Sequence, residues 1–132
     1  MREQPSATEL IDAVSEFLGR ELAPALSGRL AFHLRVAVNV LAIVRREIEL
    51  GPAADRGEAE RLTALLGVAG DGAALNEELC RRIADGRLDP DDPALIEHLW
   101  ATTLDTLAID QPGYATYRRL AAAGREPSEG EP

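Results

Sequence analysis

The sequence predicts an all-α protein, a compact bundle of about five to six helices around a buried central helix at residues 30–50. From residue 30 to residue 44, only His33, Arg35 and Asn39 interrupt a run of Leu, Ala, Phe, Val and Ile. A helix that is apolar on nearly all sides must be surrounded by other elements. Apolar residues elsewhere recur at helical spacing, and the sequence contains no alternating strand pattern and no internal repeat.

The first helix is expected to begin at Ser6, because Ser6 and Glu9 have the spacing of a capping box. The apolar residues that follow recur at helical spacing: Leu10, Ile11, Val14, Phe17 and Leu18. Pro24 has no backbone N–H to donate, so it should end or kink this helix. We expect residues 1–5 to form a flexible lead and residues 6–123 to form one helical domain.

The central helix is expected to stop at Gly51 and Pro52, which together are a strong helix-ending signal. Its burial has a direct consequence for three side chains in its middle. If neighbouring helices enclose the helix, Val40, Ile43 and Val44 must be shielded from water in the folded chain.

Four shorter helices are predicted at residues 53–66, 74–85, 93–109 and 114–123. Gly86 is placed to cap the C-terminus of the second of them. Asp92 and Pro93 suit the N-cap and the first turn of the third. The remaining residues, 124–132, are polar and rich in Pro and Gly, and we expect them to be disordered.

The charge and composition argue against several classes of function. A net charge of -9 and a pI near 4.7 would repel a nucleic-acid backbone. The longest apolar run is shorter than the roughly 20 residues that cross a bilayer, so no membrane span is expected. A single cysteine cannot form an internal disulfide, and no signal-peptide pattern is present, so we expect a cytoplasmic protein. Since lysine is absent, Schiff-base and P-loop lysine chemistry are excluded.

Arg35 and Asn39 are the most suggestive polar pair, because a guanidinium and an amide one helical turn apart can hold a carboxylate or phosphate. The favoured alternative is structural, with Arg35 paired to an acidic residue of a neighbouring helix. Arg29 and Arg46 could extend an anion site. His33 lies on nearly the opposite side of the helix, and a hydrogen-bonded core histidine is favoured over a functional one.

Other residues that could take part in catalysis or ligand binding also have simpler, structural explanations. His98 is expected on the surface, on the polar side of its helix. Trp100, Tyr114 and Tyr117 are expected in the core rather than in a ligand cleft. Cys80 has no histidine near it in sequence to act as a base. The sequence shows no metal-ligand spacing, no Ser/His/Asp arrangement, no Gly-rich phosphate loop and no paired-carboxylate motif, so we expect no catalytic residues, no metal and no cofactor.

Three blocks stand in a characteristic order: residues 6–11, residues 28–37 with Asn39 following, and residues 107–112 with Tyr114. Together they resemble a bacterial family of small all-helical domains of unknown function. Members of that family are often encoded beside, or joined to, aminoglycoside-phosphotransferase-like kinases and acyl-CoA dehydrogenases. The resemblance implies an accessory role linked to acyl-CoA metabolism, and it supplies no catalytic residues.

These observations support two main hypotheses. The first is a non-catalytic accessory protein that docks, through apolar surface on its shorter helices, on a kinase-like or dehydrogenase-like partner or on itself as a homo-oligomer. The second is a bundle that binds an acyl, CoA or other anionic small molecule through Arg29, Arg35 and Asn39, with His33 as a further candidate. An enzyme is a weaker third hypothesis, because no group has an evident activating partner.

Overall fold

A computed structural model of the protein describes residues 4–123, and this part of the chain is helical with no strand. The predicted all-α class is confirmed. Residues 1–3 of the expected lead and all of the expected disordered tail lie outside the described residues. The α-helices are α1 (Ala7–Phe17), α2 (Gly28–Leu66), α3 (Gly72–Ala84), α4 (Pro93–Asp110) and α5 (Ala115–Ala123).

The chain divides into two compact units, with the boundary between Pro52 and Ala53. Unit 1 contains α1 and the part of α2 that ends at Pro52. Unit 2 contains the rest of α2 together with α3, α4 and α5. The domain predicted at residues 6–123 includes both units, and each unit has its own pattern of burial.

Unit 1 begins with the predicted capping box. The backbone N–H of Glu9 donates to Ser6 Oγ at 3.2 Å, and the backbone N–H of Ser6 donates to the Glu9 carboxylate at 2.6 Å. These two bonds satisfy donors that the first helical turn leaves unpaired. The bond from the Ser6 backbone N–H to the Glu9 carboxylate is the main cause that holds the pKa of Glu9 below its usual value. The α-helix ends at Phe17 and passes through a π turn into a 3-10 turn that contains Pro24, as the sequence predicted.

The two helices of unit 1 run side by side in opposite directions. Arg45 Nε of α2 donates to Asp12 Oδ1 of α1 at 2.7 Å, and the chain reverses between Ala23 and Gly28. Leu34 is the one large apolar side chain that is buried among the described residues of this unit, with 8% of its surface exposed. Unit 1 is therefore a helix pair with little enclosed core.

The burial predicted for residues 30–50 is wrong. Val40 and Val44 are exposed and Ile43 is only half-buried, and other large apolar side chains of the same segment are also in contact with water. Unit 1 offers a single partner helix, α1, and one helix can cover only one side of another. The apolar circumference that suggested a central helix is thus left largely uncovered.

The predicted helix end at Gly51 and Pro52 is also wrong, because α2 continues to Leu66 with Pro52 inside it. A glycine ends a helix by adopting a positive φ, and Gly67 does so at 70° whereas Gly51 does not. Pro52 removes one backbone donor, while the alanines and glutamates around it favour the helical conformation. The separate helix predicted at residues 53–66 is consequently the last part of α2.

Unit 2 has an enclosed core built from leucines of three helices. Leu62, Leu75 and Leu95 are almost completely buried, with at most 1% of their surface exposed, and Leu66 and Leu79 complete the cluster. They come from α2, α3 and α4, which supply the side chains at helical spacing. This core is the best-packed part of the described chain.

The end of α3 and the start of α4 carry the capping residues that the sequence predicted, whereas α3 begins at Gly72, two residues before the predicted start. Gly86 has a φ of 80° directly after α3, and Asp92 accepts hydrogen bonds from the backbone N–H groups of Ala94 and Leu95 at 2.9 and 3.2 Å. Pro93 occupies the first turn of α4. These local signals need no tertiary contact, which is why the sequence alone identifies them.

Removal of a core leucine should destabilise unit 2 far more than removal of an exposed one. We expect Leu75→Ala to lower the free energy of unfolding by about 2–5 kcal/mol, because it leaves a cavity in the leucine cluster. Leu99→Ala is the control, since Leu99 is 47% exposed in the same unit, and its loss should stay below about 1 kcal/mol. Urea denaturation followed by circular dichroism measures both, and equal losses would contradict this account of the core.

Candidate functional site

An apolar row runs along the exposed side of α2 in unit 1. We call it the α2 ridge, and it consists of residues spaced four apart: Phe32, Val36, Val40, Val44 and Ile48. Each of these side chains has between 42% and 56% of its surface exposed. Side chains at this spacing form one continuous line on a helix, about 24 Å long for five members. The ridge is an unoccupied packing surface of a kind that helices normally bury.

The flanks of the α2 ridge are also mostly apolar. At 100° per residue, the positions within a quarter turn of Val40 on either side include three polar side chains, Arg29, His33 and Glu47. The other flanking positions carry small or aliphatic residues: Leu30, Ala37, Ile43, Leu50 and Gly51. The basic groups lie near the N-terminal end of the ridge, and the acidic group lies near its C-terminal end.

The structure brings Arg29 and His33 together at the edge of the ridge. Arg29 Nε donates to His33 Nε2 at 3.2 Å, and the His33 ring meets the Phe32 ring edge-on with 5.8 Å between centroids. The prediction of a core histidine is wrong for His33, which is exposed, because the helix face that carries it has no neighbour in unit 1. Arg29 thus lies beside the ridge, and no described contact joins it to Arg35 or Asn39, so it does not extend an anion site there.

Arg35 and Asn39 lie one turn apart on α2, and both are exposed. Neither contacts a hydrogen-bonding or ionic partner within residues 4–123. The arginine that pairs with the first helix is Arg45, which contacts Asp12 and also Glu49, the latter at 2.7 Å. Sequence reasoning missed Arg45, although its position four residues before Glu49 is a recognisable ion-pair spacing.

α1 also presents an apolar row to water. Leu10, Val14 and Phe17 follow one another at helical spacing and are each about half-exposed, between 50% and 56%. Ile11 of α1 and Leu18, the first residue of the π turn that follows, are partly buried and lie on a different side from this row. Both helices of unit 1 therefore expose apolar rows beyond what their mutual packing uses.

His98 is the principal polar residue of unit 2, and its predicted surface location is wrong. Only 3% of its surface is exposed, and its Nδ1 has no hydrogen-bond partner in the described part of the chain. Arg61 lies nearby, with Nη2 at 3.2 Å from Thr102 Oγ1 and 3.5 Å from Asp105 Oδ2, while its buried Nε lacks a partner there as well. His98 lies three residues after the core residue Leu95, a spacing that could have indicated burial.

A cavity of about 290 Å³ lies between α2 and α4 in unit 2. Its lining residues are Arg61, Ala64, Leu65, Ala94, Glu97 and His98. Burial lowers the pKa of His98, and the positive charge of Arg61 lowers it further against a smaller opposing effect of Glu58. His98 is therefore neutral at pH 7. No hydroxyl or thiol of the described residues is hydrogen-bonded to it.

The aromatic residues predicted in the core are partly on the surface. Trp100 and Tyr114 are exposed, and Tyr117 is half-buried. Trp100 lines a shallow depression of about 300 Å³ with Ile96, Leu99 and Thr103 on one side of α4. The predicted core location is wrong for Trp100 and Tyr114. For Trp100 the reason is that α4 is apolar on more sides than its neighbours in unit 2 cover. Tyr114 lies in the turn between α4 and α5.

Residues 4–123 lack two features that would point to particular functions. They contain no group of three or more His, Cys, Asp or Glu side chains placed to share a metal ion. None of the helices in this range combines the length and apolarity that a bilayer crossing requires. Cys80 is a free, exposed thiol on α3.

The lowered pKa of His98 predicts a loss of stability in acid. The unfolded chain binds a proton at His98 near the ordinary value of 6.5, whereas the folded chain binds it only at lower pH. Folding stability should therefore fall as the pH drops below about 6.5, because the unfolded state takes up protons first. We expect the Tm of His98→Leu to decrease less between pH 7.5 and 5.5 than that of the natural chain, by a few degrees as measured by differential scanning calorimetry.

The exposed His33 provides the control for this experiment. His33→Gln should retain the acid-induced loss of Tm that His98→Leu reduces. An unchanged pH dependence in His98→Leu would show that the buried imidazole does not contribute to acid sensitivity.

Comparison with known proteins identifies a family for this chain but no activity. Residues 24–114, more than half of the 132-residue sequence, match the family model described as "Domain of unknown function (DUF6285)". Searches of curated proteins and of solved structures found no match. The matched stretch contains the α2 ridge, the leucine core and the cavity beside His98. The chain therefore belongs to the DUF6285 family of domains of unknown function.

Proposed function

We propose that this chain is a non-catalytic helical interaction protein whose partner packs against the α2 ridge. The supporting observation is the uninterrupted apolar row from Phe32 to Ile48, exposed over its whole length. Soluble monomers rarely expose contiguous apolar patches of more than a few hundred square ångströms, and larger patches mark interaction sites. A row of residues spaced four apart is also the surface by which one helix packs into the groove of another.

The partner in this proposal is a kinase-like or dehydrogenase-like protein. The resemblance to bacterial domains encoded beside aminoglycoside-phosphotransferase-like kinases and acyl-CoA dehydrogenases is the basis for these two classes. The role in the cell would then be that of an accessory subunit in acyl-CoA metabolism. The mostly aliphatic ridge suits a helical or grooved apolar surface on either partner.

Small-molecule binding at Arg29, Arg35 and Asn39 has less support. Arg29 is hydrogen-bonded to His33 at the ridge edge, and no described contact joins it to the other two side chains. An anion held by Arg35 and Asn39 alone would lie on an exposed surface, where such contacts contribute little. The apolar ridge is the larger and more continuous feature.

Co-expression tests the proposed interaction. The tagged chain is expressed with the kinase-like or dehydrogenase-like protein encoded beside it, and the mixture is separated by size-exclusion chromatography. We expect co-elution at micromolar concentration, and Val40→Glu should weaken binding about 30-fold or more, because it places a charge in the middle of the apolar contact.

Val68→Glu is the matched control, because Val68 is also exposed but lies outside the ridge, after α2 ends. It should leave co-elution intact. Separate elution of the natural chain from both candidate partners would count against the proposed partners, and equal effects of the two substitutions would count against the ridge.

A further inference from the structure

We infer that the cavity between α2 and α4 binds a small aliphatic carboxylate, with His98 as its hydrogen-bond donor and Arg61 as its charge partner. The cavity belongs to unit 2 and the α2 ridge to unit 1, so this ligand is additional to the partner proposed above. Two buried side chains at the cavity lack the partners that buried polar groups normally have. A bound ligand can supply what the chain does not.

The His98 ring offers one hydrogen-bond donor to the cavity. Nδ1 is closed off from water and has no partner in residues 4–123, whereas Nε2 also lacks a partner there but is not closed off. Buried backbone N–H donors are left unpaired less often than buried acceptors. By the same preference, the proton of the neutral ring lies on Nε2 and the bare lone pair on Nδ1. The group that His98 presents is therefore an N–H, and its complement is an oxygen acceptor.

Arg61 supplies a positive charge that its neighbours compensate only loosely. Its Nη2 lies 3.2 Å from Thr102 Oγ1 and 3.5 Å from Asp105 Oδ2, whereas charge-assisted hydrogen bonds are usually about 2.7–2.9 Å long. Its Nε is buried and has no partner among the described residues. An anion in the cavity beside this guanidinium gains more attraction than it would in water, because the surroundings are partly desolvated.

Acidic groups also lie near the cavity, but their effect on the His98 ring is smaller than that of Arg61. Burial is the largest cause that lowers the pKa of His98, Arg61 is the second, and Glu58 opposes them with a smaller effect. The Glu58 carboxylate accepts a hydrogen bond from Asn76 Nδ2 of α3 at 3.1 Å. Glu97 lines the cavity and is exposed, so that water and salt screen its charge. The balance of charge at the ring favours a negative ligand.

The rest of the wall is aliphatic and limits the ligand to a small molecule. Ala64, Leu65 and Ala94 supply this part of the lining. A volume of about 290 Å³ is at the lower end for ligand pockets, and it holds about ten water-sized groups at roughly 30 Å³ each. Isovalerate has a carboxylate at one end and a compact branched tail at the other. A molecule of its size should bind with a Kd on the order of 1 mM.

Titration of the full chain with isovalerate tests the site, with the ring C–H signals of the histidines followed by NMR. The sequence has two histidines, and the exposed His33 of unit 1 is the internal control. We expect the His98 signal to shift with a Kd on the order of 1 mM and the His33 signal to stay in place. Isovaleramide has the same shape without the charge and should bind about tenfold more weakly. An unmoved His98 signal, or amide binding as tight as carboxylate binding, overturns the inference.

A matched pair of substitutions locates the ligand. Ala64 is exposed at the cavity wall, so Ala64→Phe fills the cavity without entering the leucine core and should weaken isovalerate binding at least about tenfold. Ala53→Phe is the control, because Ala53 is an exposed alanine of α2 in the same unit but outside the cavity. Equal binding by both variants, with helix content unchanged by circular dichroism, overturns the location.

Arg61→Gln removes the charge partner. It should raise the Kd of isovalerate to about that of isovaleramide in the natural chain, because the charge-assisted part of the binding is lost. The Kd of isovaleramide should change less. An unchanged Kd of isovalerate overturns the role of Arg61.

Bound isovalerate should also raise the pKa of His98, because a carboxylate beside the ring favours the imidazolium. The His98 signal is followed between about pH 5.5 and 8 with and without saturating isovalerate. Isovaleramide should give no such rise, and an unchanged pKa with isovalerate overturns the contact with the ring. Val40→Glu should bind isovalerate like the natural chain, since the ridge lies in the other unit. The ligand site and the proposed protein partner can therefore fail independently.

Discussion

The one-sided packing of α2 in unit 1 is the constraint on which the functional interpretation depends. The exposed Asp12–Arg45 ion pair connects α1 to α2, and Leu34 is the one large apolar side chain that is buried among the described residues of the unit. A single neighbour leaves the opposite side of an apolar helix in water, where each exposed aliphatic side chain forgoes roughly 1–2 kcal/mol of burial free energy. The exposed surface therefore contributes no burial free energy to unit 1 alone, and it would contribute binding free energy if a partner covered it.

Unit 2 buries apolar side chains between its own helices. Leucines from α2, α3 and α4 enclose one another, and the core needs no further chain to exclude water. Two buried polar atoms of unit 2, His98 Nδ1 and Arg61 Nε, have no hydrogen-bond partner among the described residues. Such groups cost free energy, and a neutral imidazole costs less than a charged one, which explains why burial lowers the pKa of His98.

The two histidines, His33 and His98, differ in how far the fold buries them. His33 lies in a strongly apolar segment and is exposed, where Arg29 orients its ring at the edge of the ridge. His98 lies on the side of α4 that the sequence predicted to be polar, and it is buried beside Arg61. Each location is the opposite of the one that the sequence predicted. The apolar character of a segment reports its tendency to be buried, whereas actual burial depends on which neighbours the fold supplies.

The sequence by itself determined the helical class, the capping box at Ser6, the glycine end at Gly86 and the N-terminal cap at Asp92, because these depend on interactions within a few residues. It also identified the apolar segment of α2. Only the tertiary structure decided that α2 continues through Pro52, that one side of it stays exposed, and that His98 is buried. These outcomes depend on how many helices surround a given face, and residue spacing along one helix shows which face is apolar but does not fix how many neighbours cover it.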